Sequence, residues 1–156
     1  MIPIRRLNHA VLYVRSVDVS VDFYTKVLGF TVVQRMGASA AFLRAADSRN
    51  HHDLGLFAVG EEAPLPGPGS VGLYHLAWEV PAIEDLAQAR DTLMRAGALV
   101  GASDHGVSKS LYAKDPDGIE FEVMWAVPPE QWGELEHEAH IEVLDLEAEV
   151  ARHGAK

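Results

Sequence analysis

A chain of 156 residues, 48% hydrophobic and 23% charged, has an ordinary globular balance and can form one domain or two small halves sharing a core. Its net charge of −10, with no dense Lys/Arg cluster, argues against nucleic acid and anionic membranes as partners, since both call for clustered positive charge. It contains no cysteine, which excludes disulfides, thiolate zinc sites and a Cys nucleophile.

No stretch approaches the roughly 18 apolar residues of a membrane span. The N-terminal MIPIRRLNHAVLYV has no apolar run ending in a small-residue cleavage site, so a soluble cytoplasmic protein is expected. The eight histidines become the natural nitrogen ligands for a metal in a chain without Cys.

In chain order, Leu7 to Val14 reads as a strand containing His9. Val21, Phe23, Tyr24, Val27 and Leu28 then recur at helical spacing, with Asp18 as N-cap and Gly29 as the residue past the C-cap. Phe30 to Met36, Ala40 to Ala45 and Leu54 to Val59 read as three short strands. EEAPLPGPGS, residues 61–70, is a linker or exposed loop because its prolines and glycines break any regular element. Gly72 to Val80 is again a strand, containing His75, and Ile83 to Ala96 a helix closed by Gly97. Leu99 to Ala102, Lys109 to Ala113 and Ile119 to Trp125 complete a second set of three strands. Residues 128–156 form a tail, in which Ile141 to Arg152 reads as an acidic amphipathic helix with Val143, Leu146 and Val150 on one stripe. That helix is expected to cover an edge of the domain or to meet a second subunit.

LNHAVLYV and LYHLAWEV align at a separation of 66 residues, with His9 on His75. Each is followed by a helix ending at a glycine and then by three strands, so the chain is a repeated βαβββ unit. The expected fold is α+β: two modules, about 5–60 and 71–127, forming one eight-stranded half-barrel cleft within a single domain, 1–127. A single βαβββ unit cannot bury both faces of its sheet, which favours the pair.

The segment LYAKDPDGIEFEVMW places Glu120 and Glu122 on one face of the last strand, opposite Phe121 and Val123. Two carboxylates in so apolar a strand call for a reason. Two imidazoles from matched positions, His9 and His75, with the Glu122 carboxylate make a three-ligand site for a divalent metal with positions left open. Glu120 is the alternative carboxylate, and the spacing from Gly118 favours Glu122. Counting back 66 residues from Glu122 reaches Leu56, and a slip of two reaches Leu54, so the first module offers no fourth ligand. His52, His105 and Tyr112 are the acid–base groups available around such a metal.

Other polar residues have plainer readings. Asp115 and Asp117 are turn formers. Asn50 and His51 are local structure beside His52, and Arg5 and Arg6 flank the first strand. The pair His137 and His140 has the wrong spacing for a zinc-protease helix and reads as a solvated helical face.

With these features the chain resembles the vicinal oxygen chelate superfamily of glyoxalase I, bleomycin-binding proteins, fosfomycin-resistance thiol transferases and extradiol dioxygenases. The resemblance spans about residues 5–127. It rests on the paired βαβββ order, a His in each first strand, and DPDG followed by Glu122. Within it, His105, GVSKS, Leu111, Tyr112, AK, Asp115, Pro116, Asp117, Gly118 and Glu122 resemble the extradiol dioxygenase signature. Ile119 stands where Asn is usual, and one pair of modules is present where many extradiol enzymes have two.

The resemblance implies an Fe(II)-dependent enzyme that takes a catechol-like small molecule and O2 and cleaves the ring in extradiol fashion. It further implies His9, His75 and Glu122 as metal ligands, His52 as acid–base group, and His105 and Tyr112 as stabilisers of charge on the substrate oxygens. A homodimer is the expected assembly. The ligand set itself also accepts Mn, Ni, Co or Zn. Two alternatives remain: a glyoxalase-like lyase or isomerase, which expects a second carboxylate in the first module, and a non-enzymatic antibiotic-binding protein of the bleomycin-resistance type. A phosphonate-directed thiol transferase would need basic residues, with Lys109 beside His105 as the candidate.

Overall fold

The computed structural model describes residues 1–155 apart from Pro66 and Pro68, which fall in the expected linker. The chain divides into two compact units, Met1–Pro68 and Gly69–Lys156. Each holds a four-stranded mixed sheet, and with three α-helices the fold is α+β, as expected. Among the described residues no helix is long and apolar enough to cross a membrane.

The first unit runs β1 (Ala10–Val14), α1 (Val17–Lys26), β2 (Thr31–Met36), β3 (Ala40–Arg44) and β4 (Leu54–Ala58). Its strand order is β1-β4-β3-β2, with β1 parallel to β4 and the other pairs antiparallel. Alternation along β1 buries Leu12 and Val14 and leaves Val11 and Tyr13 exposed. Val17, Ser20, Val21 and Tyr24 of α1 are buried, and the helix packs on β2, β3 and β4. The N-cap position is Ser16, not Asp18; Asp18 lies in the first turn, where its carboxylate pairs with Arg35 and complements the helix dipole. Gly29, just beyond the helix, has φ +72°.

The second unit repeats the order: β5 (Leu76–Glu79), α2 (Ile83–Arg95), β6 (Leu99–Asp104), β7 (Ser108–Lys114) and β8 (Glu120–Ala126). The sheet order β5-β8-β7-β6 is that of the first unit, with β5 parallel to β8. Even an irregularity recurs: the ladder shifts between Val32 and Gln34 in β2 and between Leu99 and Gly101 in β6.

The ladders correct one expectation. Val11 pairs with Gly55, and Ala77, 66 residues on, pairs with Glu122. Across the other edge, Gly55 faces Phe42 and Glu122 faces Tyr112. The counterpart of Glu122 is therefore Gly55, not Leu54 or Leu56. Those two leucines are fully buried on the opposite face of β4. A one-residue change of register exchanges the faces of a strand.

Two expectations for the tail also change. The last helix, α3, runs Leu146–His153, and Val143 lies outside it, 93% exposed. His137 closes a 3-10 turn, Gly133–His137, and His140 follows outside any helix, so the two do not share an α-helical face. The helix α3 itself packs on α2, where Arg90 Nη1 lies 2.6 Å from Glu147 Oε1.

Lys109 sits beneath this helix. On β7 it alternates with Tyr112 and so shares the face of Leu111 and Ala113. Its Nζ lies 2.5 Å from Asp104 Oδ1 and 3.3 Å from Glu149 Oε2, with both Lys109 and Glu149 buried. Lys109 is thus a structural cation, not a group for a phosphonate substrate.

Candidate active site

Both histidines of the repeat stand one residue before their strands instead of within them, His9 before Ala10 and His75 before Leu76. The side chains there are released from strand alternation, while the hydrogen bond from Ala10 N–H to Asp53 O, 2.9 Å, still anchors the first strand's entry.

In the first unit, His9 Nδ1 lies 2.8 Å from Asn8 Oδ1. With that oxygen accepting, Nδ1 carries the proton and Nε2 offers its lone pair. Asn8 is held in turn: its Nδ2 approaches Asn50 Oδ1 at 3.3 Å, and its carbonyl accepts from Asn50 Nδ2 at 2.8 Å. Arg6 also donates to Asn50 Oδ1, and Asn50 Nδ2 lies 2.6 Å from Asp53 Oδ1. Asn50 is buried. The sequence treated it as local structure, but it is the hub through which Arg6, Asn8 and Asp53 orient the His9 neighbourhood. The Asn8–His9 adjacency was the available signal.

His52 packs against His9, ring centroids 4.6 Å apart, and against Phe42 at 5.1 Å. Its pKa is lowered, first by burial and then by His9 and His51, against the opposing pull of Asp53. Burial alone would raise the Asp53 pKa, but hydrogen bonds from Ser48, the Ala45 N–H and Asn50 bring it below the usual carboxylate range. His52 is therefore biased to the neutral form that an acid–base group needs.

In the second unit, His75 Nε2 lies 3.1 Å from Glu122 Oε2. Glu120 Oε1 is more distant, 4.0 Å from Nδ1. The His75 Nδ1 atom is buried without a hydrogen-bond partner. Two donors each about 2.1 Å from a divalent cation at right angles stand about 3.0 Å apart, so the His75–Glu122 separation suits adjacent positions on one metal. Two of the three expected ligands are thus together, with Glu122 better placed than Glu120. Within either unit, among the described residues, no three His, Asp or Glu side chains form a metal-binding group.

Tyr112 is the cross-strand neighbour of Glu122, and its ring lies 5.8 Å from that of His75. Its hydroxyl oxygen is 2.7 Å from His105 Nε2. The Tyr112 pKa is raised, first by burial and next by the Glu122 carboxylate, against a lowering hydrogen bond with Ser103. That shift favours the protonated phenol. Asp115 and Asp117 have the expected turn role: Asp115 Oδ1 accepts from the N–H groups of Asp117 and Ile119, both at 2.9 Å. That turn sets the start of β8 and hence the face on which Glu122 emerges.

Comparison with known proteins identifies the family. Residues 6–123 match the family described as the glyoxalase/bleomycin resistance protein/dioxygenase superfamily. The chain is 33% identical over 130 residues to a catechol-2,3-dioxygenase of Bacillus subtilis, covering 81% of this chain and 43% of that one. It is 32% identical over 139 residues to biphenyl-2,3-diol 1,2-dioxygenase 3 of Rhodococcus globerulus, covering 85% of this chain and 70% of that one. The chain thus spans less than half of the first relative. Among solved structures, a glyoxylase/bleomycin resistance protein/dioxygenase domain from Frankia superposes with TM-score 0.65 at 25% identity, covering 80% of this chain and 99% of that one. The repeated βαβββ architecture and the matched region together assign the chain to the glyoxalase/bleomycin resistance protein/dioxygenase superfamily.

Proposed function

We propose that this chain is an Fe(II)-dependent extradiol dioxygenase acting on a catechol-like substrate, with His9, His75 and Glu122 as metal ligands. The observation that carries the reading is one polar face in the second unit: the His75–Glu122 pair, and beside it the Tyr112 hydroxyl bonded to His105. Its two most informative relatives are named as dioxygenases of catechol and of biphenyl-2,3-diol. A bound Fe(II) would supply Lewis-acid polarisation of the two catechol oxygens and the redox capacity for dioxygen chemistry.

The chain's own residues then handle protons and orientation. His52, biased neutral, takes a proton from the substrate and can return it. Tyr112 and His105 act on the charge that builds on a substrate oxygen. The sheet face of the first unit is apolar: a recess of about 330 Å³ opens against Val11, Tyr13 and Phe57, and the Phe42 ring packs on Phe57 at 5.8 Å. Such a face suits an aromatic substrate body better than a peptide thiol. Gly55 at the Glu122-equivalent position supplies no second carboxylate, which disfavours the four-ligand lyase site.

The test is oxygen uptake by protein loaded anaerobically with Fe(II) and offered a panel of catechols, with His9→Ala as control. Uptake with a coloured ring-fission product in the parent alone supports the reading. Metal-loaded protein that consumes no oxygen with any catechol sinks it.

A further inference from the structure

His105 sits in the tight turn between β6 and β7, where Gly106 has φ +72° and its N–H donates to Asp104 Oδ1 at 2.7 Å. Leu135, His140 and Glu142 of the same unit lie against this turn. Trp132 Nε1–H donates to Val127 O at 2.6 Å. A Cβ on Gly106 would lie 2.9 Å from Leu135 Cδ1, so the tail approaches the turn main chain closely. Asp104 and Glu142 then exchange two main-chain hydrogen bonds, 2.9 and 2.8 Å. This short bridge carries the His140 carbonyl oxygen to 3.2 Å from His105 Nδ1.

A carbonyl only accepts, so Nδ1 must carry a hydrogen. In the neutral ring, Nε2 is then a lone pair, and its 2.7 Å neighbour, the Tyr112 hydroxyl, donates to it.

We propose that the 138–142 segment is a positioning element of the active site: its His140 carbonyl holds His105 as the Nδ1–H tautomer and thereby makes Nε2 the acceptor for the Tyr112 proton. This rests on the dioxygenase reading and adds a device to it. As the substrate hydroxyl not served by His52 gives its proton to the Tyr112 oxygen, the Tyr112 proton passes to His105 Nε2. One proton enters the pair and one is relayed within it; the substrate oxygen gains the negative charge and His105 the positive. The opposite tautomer has no acceptor at Nε2, and the relay stops at Tyr112. Neither His140 nor Glu142 touches substrate in this scheme. Their effect is transmitted through a ring orientation.

The ring tautomer is measured by long-range proton–nitrogen NMR of the metal-free full chain, with His105→Gln assigning the resonance. Parent protein is expected to show the Nδ1–H form. Glu142→Pro removes the N–H that donates to Asp104 O, at a position whose side chain is 70% exposed. It is expected to give a mixture or the Nε2–H form, whereas Glu142→Ala, which keeps the N–H, retains the parent tautomer. With catechol and Fe(II), Glu142→Pro should lose about 10-fold in kcat with little change in KM. An Nε2–H form in the parent overturns the proposal, as does a Glu142→Pro protein with parent-like tautomer and kcat. If the tautomer follows Glu142→Pro but no protein turns over a catechol, the positioning role stands and the dioxygenase reading falls.

Discussion

Gly55 in the first sheet occupies the register position of Glu122 in the second: each lies opposite the second residue of its unit's leading strand or its repeat, Val11 and Ala77. One position thus carries a carboxylate in one copy and no side chain in the other. A Cβ at Gly55 would meet Val11 Cγ2 at 3.3 Å and Phe42 Cδ1 at 3.6 Å, so these two side chains close over the vacant position.

The face assignment has opposite consequences for neighbouring residues. Gly55→Ala needs only a small movement of the half-exposed Val11, and its loss of backbone freedom when unfolded is favourable; its stability should stay within about 1 kcal/mol of the parent. Leu56→Ala empties a fully buried core position and should cost about 2–5 kcal/mol. Urea unfolding of the two variants measures both. Equal costs would place the register one residue from where the ladders have it.

Metal binding should depend on the second unit's pair. Mn(II) at about 100 times its dissociation constant should stabilise the parent by about 2.7 kcal/mol. His75→Ala and Glu122→Ala should lose that gain while their metal-free forms stay folded. Thermal melts with and without metal read this directly. A Glu120→Ala protein that loses the gain while Glu122→Ala keeps it would exchange the roles of the two carboxylates.

The lowered His52 pKa gives a signed pH dependence. A base must be unprotonated, so kcat/KM should fall as pH drops through the His52 value, with a midpoint below the ordinary 6.5. His51 contributes to that lowering, so His51→Gln should move the midpoint upward. A pH–rate profile unmoved by His51→Gln would assign the acid limb to another group.

The cluster beneath α3 should govern acid stability of the second unit. Burial alone would raise the Asp104 pKa, but Lys109 and the Gly106 N–H bring it below its ordinary 3.8. A carboxylate lowered on folding stabilises fully above its unfolded value and loses that contribution as pH falls through the folded one. Asp104→Asn should therefore flatten the decline of stability below about pH 4, measured by urea midpoints across pH. Lys109→Met leaves Asp104 and Glu149 without their shared cation and should cost about 3 kcal/mol. Adding Asp104→Asn and Glu149→Gln should restore much of that loss.

Much of this protein is legible in its sequence because the signals are local. The βαβββ order, the glycines after α1 and α2, the DPDG turn and the paired His9 and His75 follow from short-range propensity and internal repetition. Tertiary structure decided what depends on partners distant in the chain. The hydrogen-bond ladder made Gly55, instead of Leu54 or Leu56, the counterpart of Glu122, because register is set between strands and a one-residue slip reverses every face. The fold also brought Lys109 under α3, beside Glu149. The hold on His105 was invisible for a deeper reason: its partner is the main-chain oxygen of residue 140, and a carbonyl leaves no mark in residue identity. Only the fold brings it within reach.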